Sequence, residues 1–185
     1  SKAAIIEASK AWSKDMMKRY GIPTADYRTF DDPEKALEYL KTAELPIVIK
    51  ADGLALGKGV IIAATREEAE AGIRSIMEEK KFGKSGDVVV IEEFLTGPEV
   101  SVLAFTDGKV IRPMVSSMDH KRAGNGDTGL NTGGMGTVAP NPYYTDEIAE
   151  ECMKKIFLPT VDAMNNEGRT FRGCLYFGLM LTEKG

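Results

Sequence analysis

The stretch KADGLALGKGV, residues 50–60, most constrains the fold. It places a glycine-rich, lysine-bearing turn between two short apolar runs, Ile47, Val48, Ile49 and Val60, Ile61, Ile62, Ala63. Short β-branched runs bounded by glycine read as strands, so this loop joins strand to strand. A Walker A loop has four residues between its first glycine and the Gly-Lys pair, then Ser or Thr for magnesium. Here Gly53 to Gly57 encloses three, and Gly59 follows Lys58. The fingerprint G-x-G-x-x-G opens a helix rather than a strand, so a helix N-terminus is not what meets a phosphate here. Two readings remain. Either backbone N–H groups and lysines of the turn close over a polyphosphate, or the turn is a surface hairpin with a solvated lysine.

The hydrophobic content of 43% and charged content of 28% suit a soluble globular chain, and 185 residues suffice for one domain or two small lobes sharing a site. A formal charge of −4 and the absence of a basic arm argue against a nucleic-acid partner, so any phosphate belongs to a small molecule. Cys152 and Cys174 have no C-x-x-C spacing, which suits a reducing cytosol. No apolar segment approaches the ~18 residues of a membrane span. The start at Ser1 without methionine, and the stop at Thr182-Glu183-Lys184-Gly185 in what reads as the turn of a hairpin, suggest an excised piece.

Along the chain, Trp12, Met16 and Tyr20 fall four apart on one helical face, and Gly21 with Pro23 supplies the stop. Residues 25–30 read as a strand, Asp32-Pro33 as the start of a helix over 34–41, and residues 47–50 and 60–63 as strands. Thr65-Arg66-Glu67-Glu68 is a capping box opening a helix to about residue 80, with Ala69, Ile73, Ile76 and Met77 inward. A strand at 88–91 and a hairpin of 99–105 with 110–114 follow. Residues 116–142 show no period and form a candidate ligand loop. Residues 145–167 read as a helix kinked or divided at Pro159, and 174–181 as a central strand.

Two further segments have the residues for chemistry. In IEEFLTGPE, residues 91–99, a strand end offers backbone groups to an adenine edge, with Glu99 for ribose hydroxyls. The alternative is a strand end with solvated acids. In DHKRAGNGDTGLNTGGMG, residues 119–136, Lys121, Arg122, Asn131 and flexible glycines suit an anionic substrate and a transferring phosphoryl group. His120 is the only histidine, and no carboxylate partner marks it as a base.

Taken in order, SKAWSKDMMKRYGIPTADY, IVIKADGLALGKGV, VIEEFLTGPEVS, FTDGK, DHKR, NTGGMG and LYFGLMLT resemble the ATP-grasp superfamily. Within it they resemble the glycinamide ribonucleotide synthetase (phosphoribosylamine-glycine ligase) family. The resemblance covers essentially the whole chain, and NTGGMG after DHKR is its most specific part. It implies an α+β ATP-grasp fold with two lobes clamping the nucleotide, the second lobe incomplete. Residues 1–27 would be an entry helix, 28–95 a small lid subdomain, and 96–185 part of the larger subdomain.

The implied reaction joins glycine to 5-phosphoribosylamine through a glycyl phosphate made with ATP, a step of purine biosynthesis. By position, Lys10 and Lys50 resemble lysines that reach the nucleotide phosphates, and Gly57, Lys58 and Gly59 the lid tip. Glu92, Glu93 and Leu95 match an adenine hinge that acts largely through backbone atoms, and Glu99 the ribose carboxylate. Asp119, Lys121, Arg122, Asn131, Thr132, Gly133 and Gly134 would face the substrates, with Lys121, Arg122 and Asn131 catalytic. Leu56 and Leu130 depart from the family's usual alanine and proline. Magnesium is implied, but its Glu and Asn ligands are expected just after Gly185, so this chain alone is expected to be inactive. Small-molecule substrates, no membrane, a cytoplasmic location and a monomer or weak oligomer complete the expectation. The alternatives are another ATP-grasp carboxylate-amine ligase or a non-catalytic nucleotide-binding module.

Overall fold

The computed structural model describes residues 1–55, 59–126, 128–183 and 185, with the side chain of Asn131 also outside the description. The chain forms two compact units, Ser1–Phe94 and Leu95–Gly185.

In the first unit a short turn leads into α1 (Ile5–Ala8), and Ser9, in extended conformation, starts α2 (Lys10–Arg19) by accepting the Trp12 N–H at 3.1 Å. Gly21, at φ +66°, takes the left-handed conformation that ends the helix. Next come β1 (Tyr27–Phe30), α3 (Pro33–Leu40), β2 (Ile47–Ala51) and β3 (Val60–Ala63). Asp32 caps α3, whose first turn Pro33 fits. The capping box of α4 (Arg66–Ile73) is closed both ways: Thr65 Oγ1 accepts the Glu68 N–H at 3.2 Å, and Glu68 accepts the Thr65 N–H at 3.3 Å. A π turn, Arg74–Glu78, continues that helix, and β4 (Val89–Glu93) closes the unit.

The sheet order is β1-β4-β2-β3, antiparallel throughout. Because side chains alternate across a strand, Ile47, Ile49 and Ala51 point to one face with Val89 and Ile91. There they meet Ala36 and Leu40 of α3 and Ala69, Ile73, Ile76 and Met77, the inward residues expected from sequence. The same alternation sends Lys50 and Glu92 to the opposite face. Glu92 stands across from Val48, and Lys50 across from Val90, so the two charged residues are diagonal neighbours.

The second unit contains β5 (Glu99–Thr106), β6 (Ile111–Pro113), β7 (Met118–Asp119), β8 (Arg122–Gly124), β9 (Thr128–Asn131) and β10 (Thr137–Val138). Helices α5 (Asp146–Cys152) and α6 (Leu158–Asn166) and strand β11 (Gly173–Met180) follow. A π turn, Met153–Phe157, joins the helices without a break. Pro159, which lacks an N–H, is the second residue after that turn, so the expected division is a change of helical winding rather than a gap.

The three-stranded sheet is ordered β11-β5-β6. β11 is therefore its outer strand, not the central one expected: its apolar residues alternate, with Leu175 and Phe177 buried and Tyr176 exposed. The Phe177 ring lies 4.4 Å from that of Phe157, where the helices cover one sheet face. Residues 116–142 are likewise more regular than expected. Antiparallel pairing of β7 with β10 and β8 with β9 folds much of the segment into an arm. Among the described residues, no helix is long and apolar enough to cross a membrane.

Candidate functional site

In the first unit the polar chemistry centres on one carboxylate. Glu92 Oε2 lies 3.0 Å from Lys14 Nζ and 2.9 Å from Lys50 Nζ. Lys14 also donates to Thr24 Oγ1 at 2.8 Å and the Ala25 carbonyl at 3.1 Å, and its ammonium sits 5.5 Å from the Tyr27 ring centre. The side chains of Lys14 and Glu92 are 8% and 7% exposed, whereas that of Lys50 is 27% exposed, so the cluster opens outward at Lys50. Burial pulls the Lys14 ammonium below the ordinary lysine value, although the charge and hydrogen bond of Glu92 oppose that.

Helix α2 is tied to the base of the glycine loop. Asp52 Oδ1 accepts the Ala11 N–H at 2.6 Å and the Ser9 hydroxyl at 3.0 Å, and the Asp52 carbonyl accepts the Lys10 N–H at 3.1 Å. A carboxylate against free N–H groups of a helix start is a favoured pairing. Lys10 returns the contact: its ammonium donates to the carbonyls of Ala51 at 2.9 Å and Gly53 at 3.0 Å, with that of Asp52 at 3.4 Å. Burial lowers the Lys10 pKa, partly countered by Asp52. The loop base is tight: a Cβ on Gly53 would sit 2.9 Å from Ser85 Cα, and one on Gly59 2.6 Å from Ala55 Cβ. Gly57 and Lys58, the expected lid tip, lie outside the described residues.

The expected adenine hinge begins at Glu92. That residue lies inside the sheet, opposite Tyr27 on one side and Val48 on the other, with its carboxylate on two lysines. Its side chain is a buried charge anchor, and the strand ends one residue later, at Glu93. Glu93, exposed at the strand end, donates its N–H to the Asp26 carbonyl at 3.0 Å and accepts the Asp26 N–H through Oε1 at 2.8 Å. Leu95 stands outside the strand.

In the second unit Glu99 and Lys121 form an ion pair. Burial opposes the charge of Lys121, but the hydrogen bond and charge of Glu99, with Tyr176 and Asp119, leave its pKa raised. Beside it, Tyr176 and Ser101 share a hydroxyl hydrogen bond of 3.1 Å. The expected ribose acceptor and an expected catalytic cation are thus each other's partners here. Arg122, expected to face substrate, turns back on its own arm and donates to the Gly129 carbonyl at 2.8 Å. Thr132 donates its N–H, at 2.6 Å, and its hydroxyl, at 2.9 Å, to the Lys121 carbonyl, and accepts the Gly134 N–H at 3.1 Å. Gly134, at φ +125°, passes so close to Asp119 that a Cβ would lie 3.0 Å from its Oδ1. Gly133 is exposed. The backbone of Asn131 pairs with Arg122.

Three residues were missed. Lys14 carries a sequence signal, since it lies four after Lys10 and so on the same helical face. Asp52 and Asn141 looked like ordinary turn residues before Gly and Pro. Asn141 is buried and donates its amide to the carbonyls of Glu99 at 2.9 Å and Ser117 at 3.1 Å, fastening the base of the arm to β5.

Cations near a glycine-rich turn suit polyphosphate, and an exposed carboxylate beside a lysine suits hydroxyls and anions. Among the described residues no group of three or more His, Cys, Asp or Glu side chains could hold a metal ion.

Residues 8–185 match the family model described as phosphoribosylglycinamide synthetase, ATP-grasp (A) domain. The phosphoribosylamine–glycine ligase of Salmonella typhimurium is 52% identical over 183 residues, which are 99% of this chain and 43% of the relative. The crystal structure of phosphoribosylamine–glycine ligase from Thermotoga maritima superposes with a TM-score of 0.82 at 40% identity, covering 98% of this chain and 46% of that one. D-alanyl-alanine synthetase A from Vibrio cholerae superposes with a TM-score of 0.73 over 100% of this chain and 54% of that one; at 15% identity the likeness is one of fold. The chain spans 43% of the length of the Salmonella relative.

Proposed function

Because this chain belongs to the phosphoribosylglycinamide synthetase ATP-grasp (A) domain family, we propose that it is the ATP-binding portion of a ligase that joins glycine to 5-phosphoribosylamine. In that reaction a glycine carboxylate oxygen attacks the γ-phosphorus of ATP, and the bond to the bridging oxygen breaks to release ADP. The amine nitrogen then attacks the acyl carbon, the C–O bond to phosphate breaks, and the nitrogen loses a proton. A carboxylate oxygen is a poor leaving group and phosphate a good one, so the protein's work is to position anions and offset their charge.

The observation that carries this reading is the place of Lys50. Its ammonium stands where β2 enters the glycine loop, as the exposed end of a cluster with one more cation than anion. In the proposal Lys50 and Lys10 meet the nucleotide phosphates, Lys10 from the loop base where its ammonium lies, and the backbone around Glu92, Glu93 and Leu95 meets adenine. Glu99 accepts from ribose hydroxyls. Asp119, Lys121, Arg122, Asn131 and the turn Thr132, Gly133, Gly134 serve glycine, phosphoribosylamine and the transferring phosphoryl group. The lid contribution of Gly57, Lys58 and Gly59, magnesium as the phosphate counter-ion, and a cytoplasmic setting belong to the same proposal. No step is assigned to a metal.

Equilibrium binding tests the reading. Lys50→Ala should weaken ATP by roughly tenfold or more and AMP by much less, because a charged hydrogen bond to the outer phosphates is lost. Equal losses for the two nucleotides would count against it.

A further inference from the structure

Lys14 is sealed from any ligand. Its ammonium has three protons and three partners within 3.1 Å: Glu92, the Thr24 hydroxyl and the Ala25 carbonyl. A single lysine would neutralise a single buried carboxylate, and a second buried ammonium carries a desolvation cost that lowers its own pKa. An arrangement that accepts this cost while leaving the outer lysine only part-buried points to function rather than to packing.

We propose that Lys14 is a positioning residue for phosphate binding: by sharing the carboxylate of Glu92, it leaves the ammonium of Lys50 free to serve an anionic ligand. The inference rests on the nucleotide reading of the Lys50 site. Two cations and one anion leave one positive charge, and the only exposed exit for it is Lys50. Without Lys14, Glu92 and Lys50 form a neutral pair. Lys50 then reaches a phosphate only by leaving a buried carboxylate unpaired, which is strongly unfavourable. With Lys14 in place, Glu92 keeps a partner when Lys50 turns outward.

The test uses the whole chain with Lys14→Met, Glu92→Gln and the double variant, each checked for a folded melting transition, and two probes, ATP and inorganic tripolyphosphate. Lys14→Met should weaken both probes by about tenfold. The double variant removes the carboxylate together with its sealed cation, so it should recover to within roughly threefold of the wild-type chain. A purely structural Lys14 gives the opposite order, with the double variant as weak as Lys14→Met or weaker, and that result overturns the proposal. So does unchanged binding in Lys14→Met. If the wild-type chain binds tripolyphosphate but not ATP, the nucleotide reading falls, while the tripolyphosphate series still decides the role of Lys14. Binding of neither probe overturns both.

Discussion

The side-chain amide of Asn141 donates to the backbone carbonyl of Glu99 at 2.9 Å, so a residue at the far end of the 116–142 segment holds the first residue of β5. The same nitrogen reaches the Ser117 carbonyl at 3.1 Å, and Asn141 Oδ1 accepts the Tyr143 N–H at 2.9 Å. Asn141→Ala removes these three bonds at a position only 3% exposed, although the Ser117 carbonyl keeps the Ser101 N–H at 2.9 Å. The expected loss is about 1–3 kcal/mol in urea unfolding. Amide exchange should quicken across the arm more than in α6, and a uniform change would argue against a local clip.

The glycine at position 53 is set by a neighbour rather than by its own φ. Its N–H donates to the Ser85 carbonyl at 3.1 Å, and a Cβ would lie 2.6 Å from Ser85 Oγ and 2.9 Å from Ser85 Cα. Gly53→Ala should therefore destabilise the chain by about 1–3 kcal/mol, since the backbone must move to admit a methyl group. Adding Ser85→Gly removes the hydroxyl clash but not the Cα clash, so it should restore only part of the loss. Full restoration in thermal melts would place the conflict in the side chain alone.

Asp107 gives an acid-side signature. Its carboxylate accepts the N–H groups of Val110 and Lys109, each at 2.8 Å, and these bonds hold its pKa below the ordinary 3.8. A carboxyl group depressed on folding contributes stability that is complete above the unfolded value and is lost as pH falls through the folded one. The stability gap between the wild-type chain and Asp107→Asn should stay constant near neutrality and shrink as pH falls below about 4. Urea midpoints taken over that range check it, and a gap independent of pH would show that Asp107 is not acting through its charge.

Much of the fold was legible because its signals are local. The strands around the glycine loop, the Asp32-Pro33 helix start and the Thr65–Glu68 capping box each depend on residues within one turn or one strand. The same local reasoning failed for β11. An unbroken apolar run suggested burial on both faces, yet the strand lies at a sheet edge with Tyr176 exposed. It failed again in the 116–142 segment, whose pairings join residues such as Asp119 and Thr137 and leave no period within the run.

The sequence by itself determined the family, the ATP-grasp fold and the position of Lys50 at the mouth of its loop. Those properties follow from ordered motifs and short-range periodicity, which survive in one dimension. Only the tertiary structure decided how the charges are shared. Sheet register set Glu92 diagonal to Lys50, and the seating of α2 on the same face brought Lys14 to 3.0 Å from that carboxylate. The energy of a charge depends on burial and on distances of a few ångströms to partners remote in the chain. For that reason the pairing of Glu92 with Lys14 and Lys50 could not be read from the sequence.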